Sequence, residues 1–153
     1  MICRKIFYTL LSFVTIYLSS CDFNSEEHQM VFEKVITSSP VMVENGEMIQ
    51  FIDSMVLKLN IEEEKVFGEL DRNTSNTERI SGKLIGTIHD GLIKAIYSYE
   101  QGGAIIREEK IIKLGENFAH FRIGGKMKLQ DGVYIYTSTD NDVEYGAKIP
   151  RKL

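Results

Sequence analysis

The chain has no tryptophan, two prolines and two cysteines in 153 residues. Two thiols are too few for a disulfide framework or a four-thiolate zinc site. Two prolines leave the body of the chain almost free of a residue that interrupts hydrogen-bonded ladders. There is no excess of positive charge: the net charge is −4, which argues against a dedicated nucleic-acid binder. Charged residues make up 26% of the chain and hydrophobic ones 43%, an ordinary balance that argues against wholesale disorder. The length suits one folded domain.

A local absence is more informative. Residues 1–20 contain Arg4 and Lys5 but no acidic residue, and an apolar run over residues 6–18 follows. That run falls short of the ~20 residues needed to cross a bilayer as a helix. A basic start, a short apolar stretch and then small residues are the anatomy of a secretory signal. The small residues are Leu18-Ser19-Ser20-Cys21. This tetrad resembles the lipobox of bacterial lipoproteins, in which Leu and two small residues precede a cysteine. The resemblance implies cleavage before Cys21 and attachment of a diacylglyceryl group to its thiol.

The expected division is therefore a signal peptide over 1–20, a lipidated tether over 21–29 and a single β domain over 30–150. Loss of the signal removes two basic residues and leaves 16 basic against 22 acidic side chains, net −6. Cys3 leaves with the signal, so the mature chain keeps only Cys21 and forms no internal disulfide. Stability must come from the core alone, and ~130 residues suffice for that. The polar, acidic run Asp22-Phe23-Asn24-Ser25-Glu26-Glu27 has no hydrophobic period and reads as a spacer.

From Met30 onward the residues point to an all-β fold. Asn45-Gly46, Asp90-Gly91 and Asp131-Gly132 are the dipeptides that tight hairpins favour, because both positions tolerate positive φ. Gly102-Gly103 and Gly124-Gly125 mark two further reversals. Leu57, Leu59 and Ile61 alternate with Lys58 and Asn60; Ile93, Ala95, Tyr97 and Tyr99 alternate with Lys94, Ser98 and Glu100. Period two places each set on one face of a sheet. Strands are expected near 30–36, 41–44, 47–51, 55–61, 65–70, 79–89, 92–100, 104–114, 117–123, 126–130 and 132–138. Residues 48–55 also suit a short helix. Residues 71–78 carry no apolar side chain and read as a solvated loop. An antiparallel meander of this length must hide its apolar face, either by curling into a small barrel-like sheet, the favoured arrangement, or by folding into a two-layer sandwich.

The stretch from Val56 to Leu114 resembles small all-β lipoproteins of Gram-negative bacteria that have no assigned activity. The shared order is the strand Leu57-Lys58-Leu59-Asn60-Ile61, then Lys65-Val66-Phe67-Gly68-Glu69-Leu70 and Gly82-Lys83-Leu84-Ile85-Gly86. The hairpin Asp90-Gly91-Leu92-Ile93 and the pair Arg107-Glu108 follow. Gln101 stands where those relatives carry an acidic residue. The resemblance implies a lipid-anchored β fold and no particular chemistry. A lipocalin resemblance fails, because the Gly-x-Trp motif cannot exist in a chain without Trp.

No catalytic constellation is visible. His28, His89 and His120 are far apart and lack metal-ligand spacing. No G-x-S-x-G element or phosphate-binding loop ahead of a helix occurs. Glu62-Glu63-Glu64 lacks the alternate ligand spacing of a calcium loop and reads as a solvated turn. Neither a metal nor a cofactor is expected. The candidate ligand-binding residues are Arg107, which on facing inward would need a carboxylate such as Glu69 or Glu100, and the tyrosines Tyr97 and Tyr99, which join an apolar surface to a polar handle.

The resulting expectation is a non-enzymatic binding or structural module of the bacterial cell envelope. It would be anchored to the membrane through lipid at Cys21, with its domain in the periplasm or at the cell surface. Its partner would be an envelope protein or a small ligand. The alternative is an inhibitor of an envelope or host hydrolase, of the lysozyme-inhibitor kind, although such inhibitors usually carry a disulfide.

Overall fold

The computed structural model describes residues 29–75, 77–138 and 143–153. The signal segment, Cys21 and the tether lie outside them. The described residues form an all-β fold. Its strands are β1 (Met30–Thr37), β2 (Val41–Met42), β3 (Met48–Ile49), β4 (Ile52–Glu62), β5 (Lys65–Asn73), β6 (Ile80–His89) and β7 (Leu92–Gln101). They continue with β8 (Ala104–Leu114), β9 (Phe118–Ile123), β10 (Met127–Gln130), β11 (Val133–Tyr136), β12 (Glu144–Tyr145) and β13 (Ile149–Pro150).

β1 and β4 through β9 form a continuous antiparallel run, each strand paired with the next. The sheet curls strongly into a half-barrel, which hides the apolar face that the alternating strands share. Turn chemistry sets the reversals. Asp90 and Gly91 both take positive φ between β6 and β7, and Gly102 and Gly103 do so between β7 and β8. These are the mirror-image turns whose twist matches that of the flanking strands.

Three features depart from a simple meander. β2 and β3 form a separate two-stranded ribbon between β1 and β4, and residues 48–55 contain strand rather than helix. The β10–β11 hairpin is inserted after β9, and β11 lies parallel to β8 with Tyr134 opposite Glu108. β12 and β13 both return to β9.

The expected solvated loop over 71–78 is shorter, because β5 continues to Asn73. Ser75 is the reason. Its backbone N–H donates to Asp53 Oδ1 and its hydroxyl accepts from the Ile52 N–H, so the loop is tied to the start of β4. Pairing then runs on through Met55 opposite Arg72 and Ser54 opposite Asn73.

Directly opposed residues of an antiparallel pair share a face. The inward face therefore reads across β5, β6 and β7 as Val66-Gly86-Ala95, Gly68-Leu84-Tyr97 and Leu70-Gly82-Tyr99. Each row contains a glycine beside larger residues. A Cβ at Gly82 would lie 2.4 Å from the Ser98 carbonyl oxygen and 2.6 Å from Tyr97 Cε2. A Cβ at Gly86 would lie 2.1 Å from the Lys94 carbonyl oxygen. These positions hold glycine because backbone and ring occupy the space where a side chain would begin.

The core comprises Phe32, Leu57, Leu59, Val66, Leu70, Leu84, Ile93, Ala95, Tyr97, Ile112, Ala119 and Ile149. At one end the two edges of the half-barrel are bridged. Ile149 and Pro150 pair with Ala119 and Phe118 of β9, and Arg151 bridges to Phe32 of β1. The Lys152 N–H donates to the Val31 carbonyl at 2.7 Å, and the Lys152 ammonium meets Glu33 at 2.8 Å. The residues after Lys148 thus join first and last strands of the curled run and cover edges that would otherwise invite pairing with another chain.

Two outcomes follow for urea unfolding. Gly82→Ala should lose roughly 1–3 kcal/mol from overpacking. Ile149→Ala should lose about 2–5 kcal/mol, the range for truncating a buried aliphatic side chain. A loss under about 0.5 kcal/mol at Ile149 would show that the bridge is dispensable.

Candidate binding site at the open end of the barrel

The end opposite the bridge is open. It gathers the C-terminal half of β1, the start of β4, the end of β5 and the end of β9. A cavity of about 260 Å³ sits there. Ile36, Met55, Phe121 and Ile123 supply apolar walls, Ile149 of the bridging segment borders the same cavity, and Lys34, Asp53 and Arg72 supply the charges. The volume exceeds the ~150 Å³ of an apolar cavity that accommodates benzene. Apolar walls with a few polar groups are the usual build of a small-molecule site.

Arg72 belongs to the inward face of β5, at two-residue spacing from Leu70. Its Cζ lies 5.8 Å from the ring centroid of Tyr97 and 5.9 Å from that of Tyr99. The two rings stack with centroids 4.8 Å apart. A guanidinium over aromatic faces is held by the ring quadrupole. Among the described residues Arg72 forms no ion pair, and its buried Nε has no hydrogen-bond partner. Such an orphan is uncommon in native interiors. Asp53, the carboxylate in the same mouth, accepts the Ser75 N–H at 3.0 Å.

Beyond the tyrosines, Glu108 and Lys110 stand two residues apart on the inward face of β8 and pair at 2.8 Å, both mostly shielded from solvent. The Lys110 ammonium lies 5.9 Å from the Tyr97 centroid. Tyr97 is fully buried and donates its hydroxyl to the Leu70 carbonyl at 2.9 Å. Burial pushes its phenol up from the ordinary 10.0, against the downward pull of Arg72. Burial also raises Tyr99; Glu108 adds to the rise and Arg72 opposes it. Both hydroxyls thus hold their protons at neutral pH and serve as donors.

The sequence-predicted residues divide. Tyr97 and Tyr99 come together on the inward face. Arg107 does not join them: it is exposed on the outer face, opposite Ser98. It shares a shallow depression there with Glu69, Lys83 and Glu100. The carboxylates considered as its partners are near it, but outside the barrel, where β8 turns its odd-numbered residues. The inward arginine is Arg72, which lies within the residues 71–78 expected as a solvated loop. Its signal was present: Val66, Gly68, Leu70 and Arg72 keep period two.

A second shielded arginine, Arg122, lies on the other side of the sheet. It is 6% exposed, stacks at 4.2 Å on the Tyr136 ring and donates from Nη2 to Ser138 Oγ at 2.6 Å. Glu109 accepts the Tyr136 N–H at 2.9 Å. These interactions fasten the β10–β11 hairpin to β8 and β9. His120 is tied to the Gly146 carbonyl at 3.0 Å and packs edge-on against Phe118. His89 stands at an exposed hairpin end 3.7 Å from Glu64. His28 and Cys21 lie outside the described residues. Among the described residues no group of three or more His, Cys, Asp or Glu side chains converges. Comparison of the chain with protein-family models, curated proteins and solved structures finds no match.

The raised phenols give the fold an alkaline signature. A tyrosine raised in the folded state contributes stability that is complete below its unfolded value of about 10 and is lost as pH rises through the folded value. Denaturation from pH 8 to 12 should therefore show a decline beginning near 10, weaker in Tyr97→Phe. An identical pH profile in that variant would refute the assignment. At neutral pH the same change should cost about 1 kcal/mol for the lost hydrogen bond to Leu70.

Proposed function

We propose that this protein is a non-enzymatic binding module of the bacterial cell envelope, tethered by lipid at Cys21, with its ligand site in the barrel mouth. The observation that carries the binding reading is the apolar cavity at the open end of a small barrel, with an inward guanidinium that forms no ion pair among the described residues. The protonated tyrosines below it favour recognition over acid–base chemistry, since an efficient proton-transfer group titrates near the working pH. The lipid anchor rests on the tetrad Leu18-Ser19-Ser20-Cys21 and the basic, apolar segment before it.

Chain geometry complements the two parts. The chain enters the barrel at Met30, which stands opposite Leu59 at the bridged end, and β1 runs from there to the mouth. Eight strand residues span roughly 26 Å. An anchor joined through residues 21–29 would thus connect to the barrel at the Met30 end of β1. The hydrolase-inhibitor reading calls for a loop free to enter a cleft. The polar loop after β5 is instead held to β4 by Ser75.

Cys21→Ser should abolish metabolic labelling with a fatty acid and release the protein from membranes; persistent labelling would sink the anchor. For the binding reading, native mass spectrometry after incubation with envelope extract should show a bound small molecule on the wild type. Ile123→Trp, which fills the mouth, should reduce its occupancy several-fold. An adduct-free wild type that captures a hydrolase would instead support the inhibitor.

A further inference from the structure

We infer that the mouth takes a single-chain amphiphile with a carboxylate head, the carboxylate seated on Arg72 and the apolar tail lying toward the rim. The inference rests on the reading of the mouth as a binding site and assigns the chemical class of its ligand. Charge comes first. The cavity is lined by two cations, Lys34 and Arg72, and one carboxylate, Asp53, which leaves a net charge of +1. Asp53 already accepts a backbone N–H. Arg72 has donors to spare: its Nε is buried without a partner, and it forms no ion pair among the described residues. A guanidinium offers a planar fork of donors that matches a carboxylate in two parallel hydrogen bonds. One such head neutralises the mouth, whereas a dianion would leave it overcharged.

The surroundings then fix the rest of the ligand. Stacked Tyr97 and Tyr99 support the guanidinium from within, so a head on Arg72 sits at the inner wall of the cavity. Met55, directly opposite Arg72, and Phe121 and Ile123 supply apolar walls beside that head. The same end of the barrel carries the β2–β3 ribbon and the start of β4, where Val41, Met42, Met48 and Ile52 are exposed. An apolar tail leaving the cavity thus meets apolar surface. A purely polar carboxylate would leave these walls without a partner, and a neutral lipid would leave Arg72 without one.

The test uses the protein as matured in cells from its full sequence, in an unfractionated extract at neutral pH, photolabelled with a diazirine-bearing decanoic acid and mapped by peptide mass spectrometry. Labelling is expected on Met55, Phe121 and Ile123. Excess decanoate should remove it, while decanol and decylamine at the same concentration should not. Arg72→Gln should lower mouth labelling roughly tenfold, as expected for a lost charge-assisted pair. The competitor series on the wild type decides the question even if that variant does not fold. Equal competition by decanol would overturn the anionic head and leave the mouth as a binding site. Stronger competition by decyl phosphate would overturn the carboxylate. Absence of mouth labelling by both the acid and a diazirine-bearing decanol would overturn the ligand class and the binding site together.

Discussion

The curl of the sheet is the constraint on which the rest depends. For β13 to reach both β9 and β1, the seven-strand run must bend back on itself within strands of about ten residues. Gly68, Gly82 and Gly86 on the inward face leave room for this bend, because bulky partners at those positions would collide with the adjacent backbone. The glycines also determine where large residues fit. Tyr97 lies over Gly82, and Leu84 and Leu70 fill positions beside the other gaps. Curvature, core packing and edge protection are thus one problem with one solution. Without a disulfide among the described strands, that solution must hold through packing and ladder hydrogen bonds.

The interior is graded from apolar to charged. Leu59, Val66, Ile93, Ile112, Ala119 and Ile149 are all buried and apolar. The same inward face also carries Tyr97, Tyr99, Arg72 and the pair Glu108–Lys110. Buried charges cost desolvation and need compensation. Glu108 and Lys110 compensate each other, whereas Arg72 has no carboxylate partner among the described residues and meets the Tyr97 and Tyr99 side chains instead. Stability alone gives no reason to place an arginine there, since an aliphatic residue at that position would extend the apolar rows. The uncompensated charge therefore sits where the fold opens to a ligand and not where the fold is closed.

The same grading explains what could be read from the chain. The all-β fold, the hairpin reversals and the inward set Leu57, Leu59, Ile93, Ala95, Tyr97 were legible, because turn dipeptides and period-two alternation are local signals. The end of β5 was not. Asp71, Arg72 and Asn73 have poor strand character, and what keeps them in the ladder is long-range: pairing of Asp71 and Arg72 with β6 and the hydrogen bonds of Ser75 to β4, between residues 22 and 23 apart in sequence. Arg107 was misplaced for a related reason. Ile105, Ile106, Ile111 and Ile112 put apolar residues on both faces of β8, so alternation gives no parity to choose from.

Long-range ties thus decide the very residues that bear on function. Once Ser75 extends β5, Arg72 falls into the inward phase with Leu70 and comes to rest over the tyrosine pair. Once β8 is paired to β7, Glu108 falls opposite Tyr97 and Arg107 opposite Ser98. The identity of the mouth is therefore set by register. A shift of one residue in β5 would send Arg72 to solvent and bring Asp71 into the cavity, inverting its charge. The β4–β5 ladder and the Ser75 clamp are as much part of the candidate site as the side chains that line it.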